Sequence, residues 1–201
     1  MGTRYPIAGC NLRRTIWGLI LCPVLAGCVF TSNLAPDEQQ LRDDEAVFIL
    51  GVRPRLQVQI WDGDDVGEDG WRLPQVRSGV MNHLPENGYI VFKLPATQAG
   101  RSYGLGRLID VEGDGTVFEP CEDSVTPTFK LQAGAVVYAG DLVYEIKATR
   151  VNFRLAVDVK SAQEYLDNNY PVLAPRLVSL PVQLRKVTNG ACSPTTVTIP
   201  M

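Results

Sequence analysis

The sequence predicts a mainly β protein, an antiparallel β-sandwich with one short α-helix near residues 161–170. Three observations lead to this fold class: short apolar segments recur after residue 45, turn-forming dipeptides such as Asn87-Gly88 separate them, and a single segment carries a clear helix signal. Many short strands with frequent turns favour a sandwich over alternating β-α units.

Nine segments carry strand signals, either as a period-two alternation or as a short apolar run between turns. They are residues 46–52, 55–61, 88–95, 102–111, 127–131, 135–144, 152–159, 176–186 and 195–199. In residues 55–61 (RLQVQIW), apolar and polar residues alternate, so we expect one face in a core and the other in water. Residues 151–157 show a similar alternation and could line the same core.

The helix signal begins with a capping box at residues 161–164 (SAQE), and Pro171 supplies the stop. Ala162, Tyr165 and Leu166 share a face at spacings of three and four residues. We therefore expect this helix to lie across one end of the sheets.

The first 27 residues have the layout of a secretory signal peptide. Three arginines and no acid precede a short apolar run at residues 15–25, and this run is shorter than the roughly 20 residues that a membrane-spanning helix needs. The small residues Ala26 and Gly27 then stand directly before Cys28.

Leu25-Ala26-Gly27-Cys28 resembles the lipobox of bacterial lipoproteins. The resemblance implies attachment of diacylglycerol to Cys28, cleavage before it, and later acylation with a fatty acid such as palmitate. It divides the chain into a signal peptide (1–27), a lipid-anchored flexible tether (28–45) and a single sandwich domain (46–201). Val29 stands where the family commonly places Asp for inner-membrane retention, so the resemblance implies an outer-membrane protein that faces the periplasm.

Alternatives exist for this N-terminal region. Residues 7–10 (IAGC) also look like a lipobox, but no apolar segment precedes Cys10. Arg13-Arg14 faintly resembles a twin-arginine export signal, and an uncleaved anchor with Cys28 in a core is a third possibility.

Cys121 and Cys192 are the two cysteines that remain if Cys28 is acylated and the signal is removed. The periplasm is oxidising, so they could form a disulfide, which would stabilise the fold by roughly 4 kcal/mol in the chain-entropy model. Two reduced thiols that never meet are the alternative, because sequence does not supply the Cα separation.

The charge argues against nucleic acid as a partner. The full chain has a formal charge of −3, and loss of residues 1–27 makes it −6. The membrane contact would therefore come from the lipid.

Sites of catalysis are sparse in the sequence. The only histidine, His83, stands before a turn and is interpreted as an ordinary loop residue. The sequence contains none of the common nucleophile-elbow, zinc-protease or phosphate-loop motifs. We expect no cofactor and no enzymatic activity.

Two acidic loops are candidates for a cation site, because hard cations prefer carboxylate oxygens. The loop with Asp110, Glu112 and Asp114 begins like a calcium-binding loop, but Cys121 occupies the place of the final ligand. The other loop, residues 62–69, lies between Trp61 and Trp71. Solvated turns are the alternative for both loops.

Trp61 and Trp71 suggest an aromatic platform for a glycan or a partner protein. The alternative places Trp61 in the core.

Residues 134–142 (GAVVYAGDL) resemble a G-x-V-x-Y-x-G-D segment of uncharacterised proteobacterial lipoproteins with sandwich domains. The sequence thus predicts a lipid-anchored envelope protein that binds another envelope component without catalysis. A carboxylate- or metal-dependent hydrolase and a purely structural lipoprotein are the alternatives.

Overall fold

The computed structural model describes residues 33–73, 81–147, 150–190 and 196–197, and it confirms the mainly β class with one α-helix. The helix is α1 (Val159–Asn169). The strands of the described residues are β1 (Glu45–Arg53), β2 (Gln57–Asp62), β3 (Asp64–Val66), β4 (Gly70–Arg72), β5 (Met81–His83), β6 (Tyr89–Pro95), β7 (Arg101–Ile109), β8 (Val117–Phe118), β9 (Val125–Leu131), β10 (Val136–Lys147), β11 (Arg150–Ala156), β12 (Leu177–Ser179), β13 (Gln183–Val187) and β14 (Thr196–Val197).

The strands form two sheets. The first has the order β14-β11-β10-β1-β6, with β12 also beside β10, and the second has the order β3-β4-β13-β9-β7-β2-β5, with β8 beside β7. Both sheets are mixed rather than wholly antiparallel, because β1 pairs with β10 and β4 with β13 in parallel. Parallel pairs need long connections, and these strands are far apart along the chain.

The main core lies between the two sheets. Strand β1 contributes Phe48 and Leu50 to it, and β2 contributes Val58 and Ile60. The polar side chains between them on β2 do not face water as predicted, since Gln57 and Gln59 are also buried.

A second core covers the outer face of the first sheet. Val47 and Ile49 of β1 point there and meet Ala162 and Leu166 of α1. The sequence pattern of residues 46–52 lacks polar residues because this strand is buried on both faces. The helix therefore covers a sheet face, and the expectation that it lies across the end of the sheets was wrong.

Helix α1 begins two residues before the predicted capping box. Asp158 is the N-cap, and its carboxylate accepts a hydrogen bond from the backbone N–H of Ser161 at 3.0 Å. The Ser161 hydroxyl donates back to the same carboxylate at 2.8 Å. Ser161 therefore does not cap the helix; an aspartate three residues earlier does so.

The segment predicted as one strand over residues 176–186 is divided. A 3-10 turn (Ala174–Arg176) leads into β12 in the first sheet, and the chain then crosses to β13 in the second sheet. Prolines at positions 175 and 181 flank β12, consistent with their exclusion from strand interiors.

Candidate functional site

The predicted lipidation site, Cys28, lies outside the described residues, as do Cys10 and Cys22. The first described residues, Asn33 and Leu34, are hydrogen-bonded to β6. The side-chain oxygen of Asn33 accepts a hydrogen bond from Val91 N–H at 2.9 Å, and Leu34 N–H donates to the Val91 carbonyl at 2.7 Å. Asn33 and Leu34 thereby cover the edge of β6 that β1 does not use.

This docked segment continues toward β1. The Tyr170 hydroxyl donates to the Leu34 carbonyl at 2.7 Å, and the side-chain oxygen of Gln39 accepts from Val172 N–H at 2.8 Å. Leu34 and Gln39 are buried. Residues 33–45 of the predicted tether (28–45) are therefore packed against the domain, and residues 28–32 lie outside the described residues.

The described chain begins at one particular end of the first sheet. Asn33 lies beside Tyr89 and Val91, and Tyr89 pairs on its other side with Gly51. The turn before β6 and the corner after β1 meet at the same end, where Val52 N–H donates to the Gly88 carbonyl at 2.9 Å. We call residues 53–56 and 84–88 together the Arg53 corner.

The Arg53 corner encloses an open cleft of about 710 Å³. The Arg55 side chain spans it: Nε donates to the Pro85 carbonyl at 3.2 Å, and Nη1 lies 2.9 Å from a carboxylate oxygen of Glu112. The Arg53 side chain, by contrast, lies on an exposed residue and makes no hydrogen bond or ion pair with the described residues. Sequence reasoning missed this corner because its parts are 30 residues apart.

Cys121 is buried and disulfide-bonded, and Cys192 lies outside the described residues. Glu122 N–H donates to the Gly190 carbonyl at 2.9 Å. A Cβ on Gly190 would lie 2.5 Å from the Pro120 carbonyl oxygen. The chain two residues before Cys192 thus packs directly against Cys121, which supports the predicted pairing of these cysteines.

The predicted cation loop does not bring its three carboxylates together. Asp110 accepts a hydrogen bond from Gly113 N–H at 2.9 Å, Glu112 pairs with Arg55, and Asp114 accepts from the Thr116 N–H at 2.9 Å. Hydrogen bonds from the Thr116 hydroxyl and from the Thr116 N–H lower the pKa of Asp114. No group of three or more acidic, His or Cys side chains suited to a metal occurs in the described part of the chain.

The other acidic loop lines a polar cleft of about 420 Å³. Its carboxylates are partly neutralised: Asp62 lies 2.5 Å from Arg101, and Asp65 accepts from the Ser102 hydroxyl at 2.8 Å. The hydrogen bond with Asp62 raises the pKa of Arg101. These pairs hold the ends of β2, β3 and β7 together.

Trp61 and Trp71 do not form an exposed platform, and that prediction was wrong. Both rings are buried and pack with Leu73 and Val187 on the outer face of the second sheet. Glycines of β7 leave the space that these rings occupy, because a Cβ on Gly106 would lie only 1.9 Å from the Trp61 ring. Glycine in a strand commonly marks such a close approach.

His83 is not a loop residue as predicted, since it lies in β5 and is only 1% exposed. Its ring stacks on Phe92 with centroids 3.8 Å apart, and neither ring nitrogen has a partner in the described structure. Burial lowers its pKa to about 4. A neutral imidazole enclosed in the core is an apolar packing element rather than an accessible base.

Tyr138, Gly140 and Asp141 of β10 form a bulge and a hydrogen-bond network. Gly140 adopts a φ of +105° at a bulge opposite β1, where the pairing shifts between Ile49 and Gly51. The buried Asp141 carboxylate then accepts from the Tyr138 hydroxyl at 2.8 Å, and that hydroxyl accepts from Asp158 N–H at 3.1 Å. The network ties the sheet to the start of α1.

Exposed apolar side chains concentrate in one short stretch. Among the described residues, seven large apolar side chains are exposed, and four of these lie between positions 172 and 184. We call these four, Val172, Val178, Leu180 and Leu184, the apolar strip. In the sequence, this stretch is an apolar run interrupted by prolines, and the pattern predicts a single strand over residues 176–186.

Comparisons with protein-family models, curated proteins and solved structures gave no significant match. The described residues include no helix long and apolar enough to cross a bilayer.

Proposed function

We propose that the chain is an envelope lipoprotein, anchored through Cys28, which binds another envelope protein through the apolar strip. The observation that carries the binding role is the exposure of the strip: Val172 and Val178 are 61% and 57% exposed. Exposed large apolar side chains are common at interaction sites, since their burial by a partner is favourable.

Backbone pairing with a partner strand is not the favoured mode. Strand β12 has three residues, and Pro181 lacks the N–H that a longer edge would offer. Short edges closed by proline resist the addition of a strand. The side chains of the apolar strip are therefore the expected contact.

Export to an oxidising compartment is supported by the disulfide of Cys121. The lipobox-like residues before Cys28 and the docked segment that starts at Asn33 agree with an anchor just ahead of the folded body. Periplasmic exposure of a domain on the outer membrane would place the strip among envelope proteins.

The anchor is tested by metabolic labelling with palmitate. We expect label in the native chain and in Cys10→Ala, and none in Cys28→Ala. The reverse pattern would move the mature start to Cys10 and contradict the anchor.

Binding through the apolar strip is tested by crosslinking in intact envelopes. A photoreactive residue at position 180 should give one discrete crosslinked species, and Val178→Asp should abolish it. Val111→Asp is the matched control, because Val111 is 43% exposed but lies in a different loop. Equal crosslinking in both variants, or no crosslinked species at all, would remove the support for this surface.

The alternative of a carboxylate-dependent hydrolase receives less support from the geometry. Asp110, Glu112 and Asp114 of one acidic loop, and Asp62 and Asp65 of the other, are already held in hydrogen bonds or ion pairs with neighbouring groups.

A further inference from the structure

We propose that the Arg53 corner rests on the membrane surface, with the Arg53 guanidinium on the phosphate of a lipid headgroup. The inference depends on the proposed anchor at Cys28 and adds an orientation and a lipid contact to it.

The link between Cys28 and Asn33 is short. Five residue steps separate Cys28 from Asn33, the first residue that is hydrogen-bonded to the domain. At about 3.3–3.6 Å per residue, even a fully extended link spans no more than about 18 Å. This length is small compared with a domain, so the face nearest Asn33 stays close to the bilayer.

Asn33 lies at the same end of the first sheet as the Arg53 corner. The chain runs from Asn33 beside Tyr89 toward residue 44, whose carbonyl accepts from Ala96 N–H at 2.7 Å at the other end of β6. The described segment therefore starts at the end of the sheet where β1 finishes and β6 starts. The Arg53 corner occupies this end, and the turn from β6 to β7 occupies the opposite one.

The Arg53 corner carries both basic and acidic side chains. Arg55 is already paired with Glu112, whereas Arg53 is exposed and unpaired within the described structure. Glu86 lines the same cleft, and Asp158 lies within electrostatic reach of Arg53. The corner is therefore not a strongly basic surface; it offers one free guanidinium.

One free guanidinium suffices when the protein is already anchored. Guanidinium groups bind phosphate oxygens in a two-pronged geometry. A tethered contact is intramolecular, so a high effective concentration replaces intrinsic affinity. The open cleft next to Pro54 and Pro85 leaves room for a headgroup.

The orientation is tested with the full acylated chain in vesicles of phosphatidylethanolamine and phosphatidylglycerol that contain a headgroup-labelled quencher lipid. A fluorophore is attached at Glu86→Cys in the corner or at Gln132→Cys, which lies at the opposite end and is exposed. We expect clearly stronger quenching at position 86. Equal quenching at both positions, or stronger quenching at 132, would overturn the proposal.

The role of Arg53 is tested in the same vesicles. Arg53→Glu should lower the ratio of docked to undocked orientations by about fivefold or more, since a cation near an anionic bilayer contributes on this scale. Lys130→Glu is the matched control, because it changes the charge equally at the opposite end, and it should leave quenching at position 86 unchanged. Equal loss in both variants would assign the effect to net charge and overturn the Arg53 contact.

Palmitate incorporation at Cys28 is measured on the same preparations. Its absence would contradict the proposed anchor. Its presence together with equal quenching at positions 86 and 132 would leave the anchor standing and overturn the membrane contact alone.

Discussion

Glycines in β7 decide where the tryptophan rings of the second sheet lie. Gly106 is the extra residue of a bulge opposite β2, and its missing side chain leaves the space that the Trp61 ring fills. Gly104 does the same for Trp71, whose ring would lie 2.6 Å from an added Cβ. Burial of both rings follows from these two small residues.

We expect Gly106→Ala to lower the free energy of unfolding by about 1–3 kcal/mol, the usual cost of overpacking. In a chain that carries Trp61→Leu, Gly106→Ala should cost less, because the smaller side chain leaves space for the added methyl group. Urea denaturation of the two single variants and the double variant measures the coupling. Additive effects would show that the ring and the glycine do not share this space.

The enclosed imidazole of His83 makes stability depend on pH. Burial lowers its pKa to about 4, against 6.5 in the unfolded chain. The unfolded state therefore binds a proton between pH 6.5 and 4 while the folded state does not, so stability falls as the pH is lowered through this range. The shift corresponds to a loss of up to about 3 kcal/mol.

The chain has a single histidine, so a variant isolates its contribution. His83→Phe keeps an aromatic ring on Phe92 and should flatten the dependence of the unfolding free energy between pH 7 and 5. The measurement needs a chain without a histidine tag. A native protein whose stability is constant over this range would contradict burial of the neutral ring.

Helix α1 depends on a cap that its sequence pattern placed wrongly. The hydrogen bonds from Ser161 lower the pKa of Asp158, as expected for a carboxylate that accepts from a helix N-terminus. Asp158→Ala should therefore lower the melting temperature more than Ser161→Ala, which keeps the backbone donor. Asp158→Asn, which preserves an acceptor, should lie between the native protein and Asp158→Ala. A larger effect of Ser161→Ala would restore Ser161 as the cap.

The long strands could be predicted from the local sequence, and the shortest strands could not. Strands β1, β6, β7 and β10 could be predicted because apolar side chains fill long parts of them. Strands β3, β4 and β8 have only two or three residues, so no periodicity marks them. The burial of Trp71 could not be predicted either, since it depends on Gly63 and Gly104, which no local pattern links to it.

Candidate sites that depend on contacts between distant segments could not be predicted from the sequence either. Cys121 is disulfide-bonded, and its pairing with Cys192 stays a prediction because residue 192 lies outside the described residues. The Arg53 corner and the apolar strip were missed. The Arg53 corner forms where the loop after β1 meets the loop before β6. The apolar strip forms where the chain crosses from the first sheet to the second with apolar side chains exposed.

At the scale of the whole molecule, both ends of the described chain are fixed to the first sheet, and the segment before the last strand lies beside the second. Residues 33–34 close the edge of β6 in the first sheet. Near the other end, Gly190 packs on residues 120–122 beside the second sheet, and β14 returns to pair with β11 of the first. A covalent link at Cys121 therefore acts where the chain passes from one sheet back to the other.

We expect the partner of Cys121 to be Cys192, because Gly190 contacts the backbone on either side of Cys121. Loss of the link should cost roughly 4 kcal/mol, since it closes a loop of about 70 residues in the unfolded chain. Cys121→Ala, Cys192→Ala and the double variant should then be equally destabilised, because each removes the same bond. Peptide mapping without reductant should recover one linked pair, and reduction of the native protein should reproduce the stability of the variants. Additive losses in the double variant, or linkage of Cys121 to a different cysteine, would show that the C-terminal segment is held by packing alone.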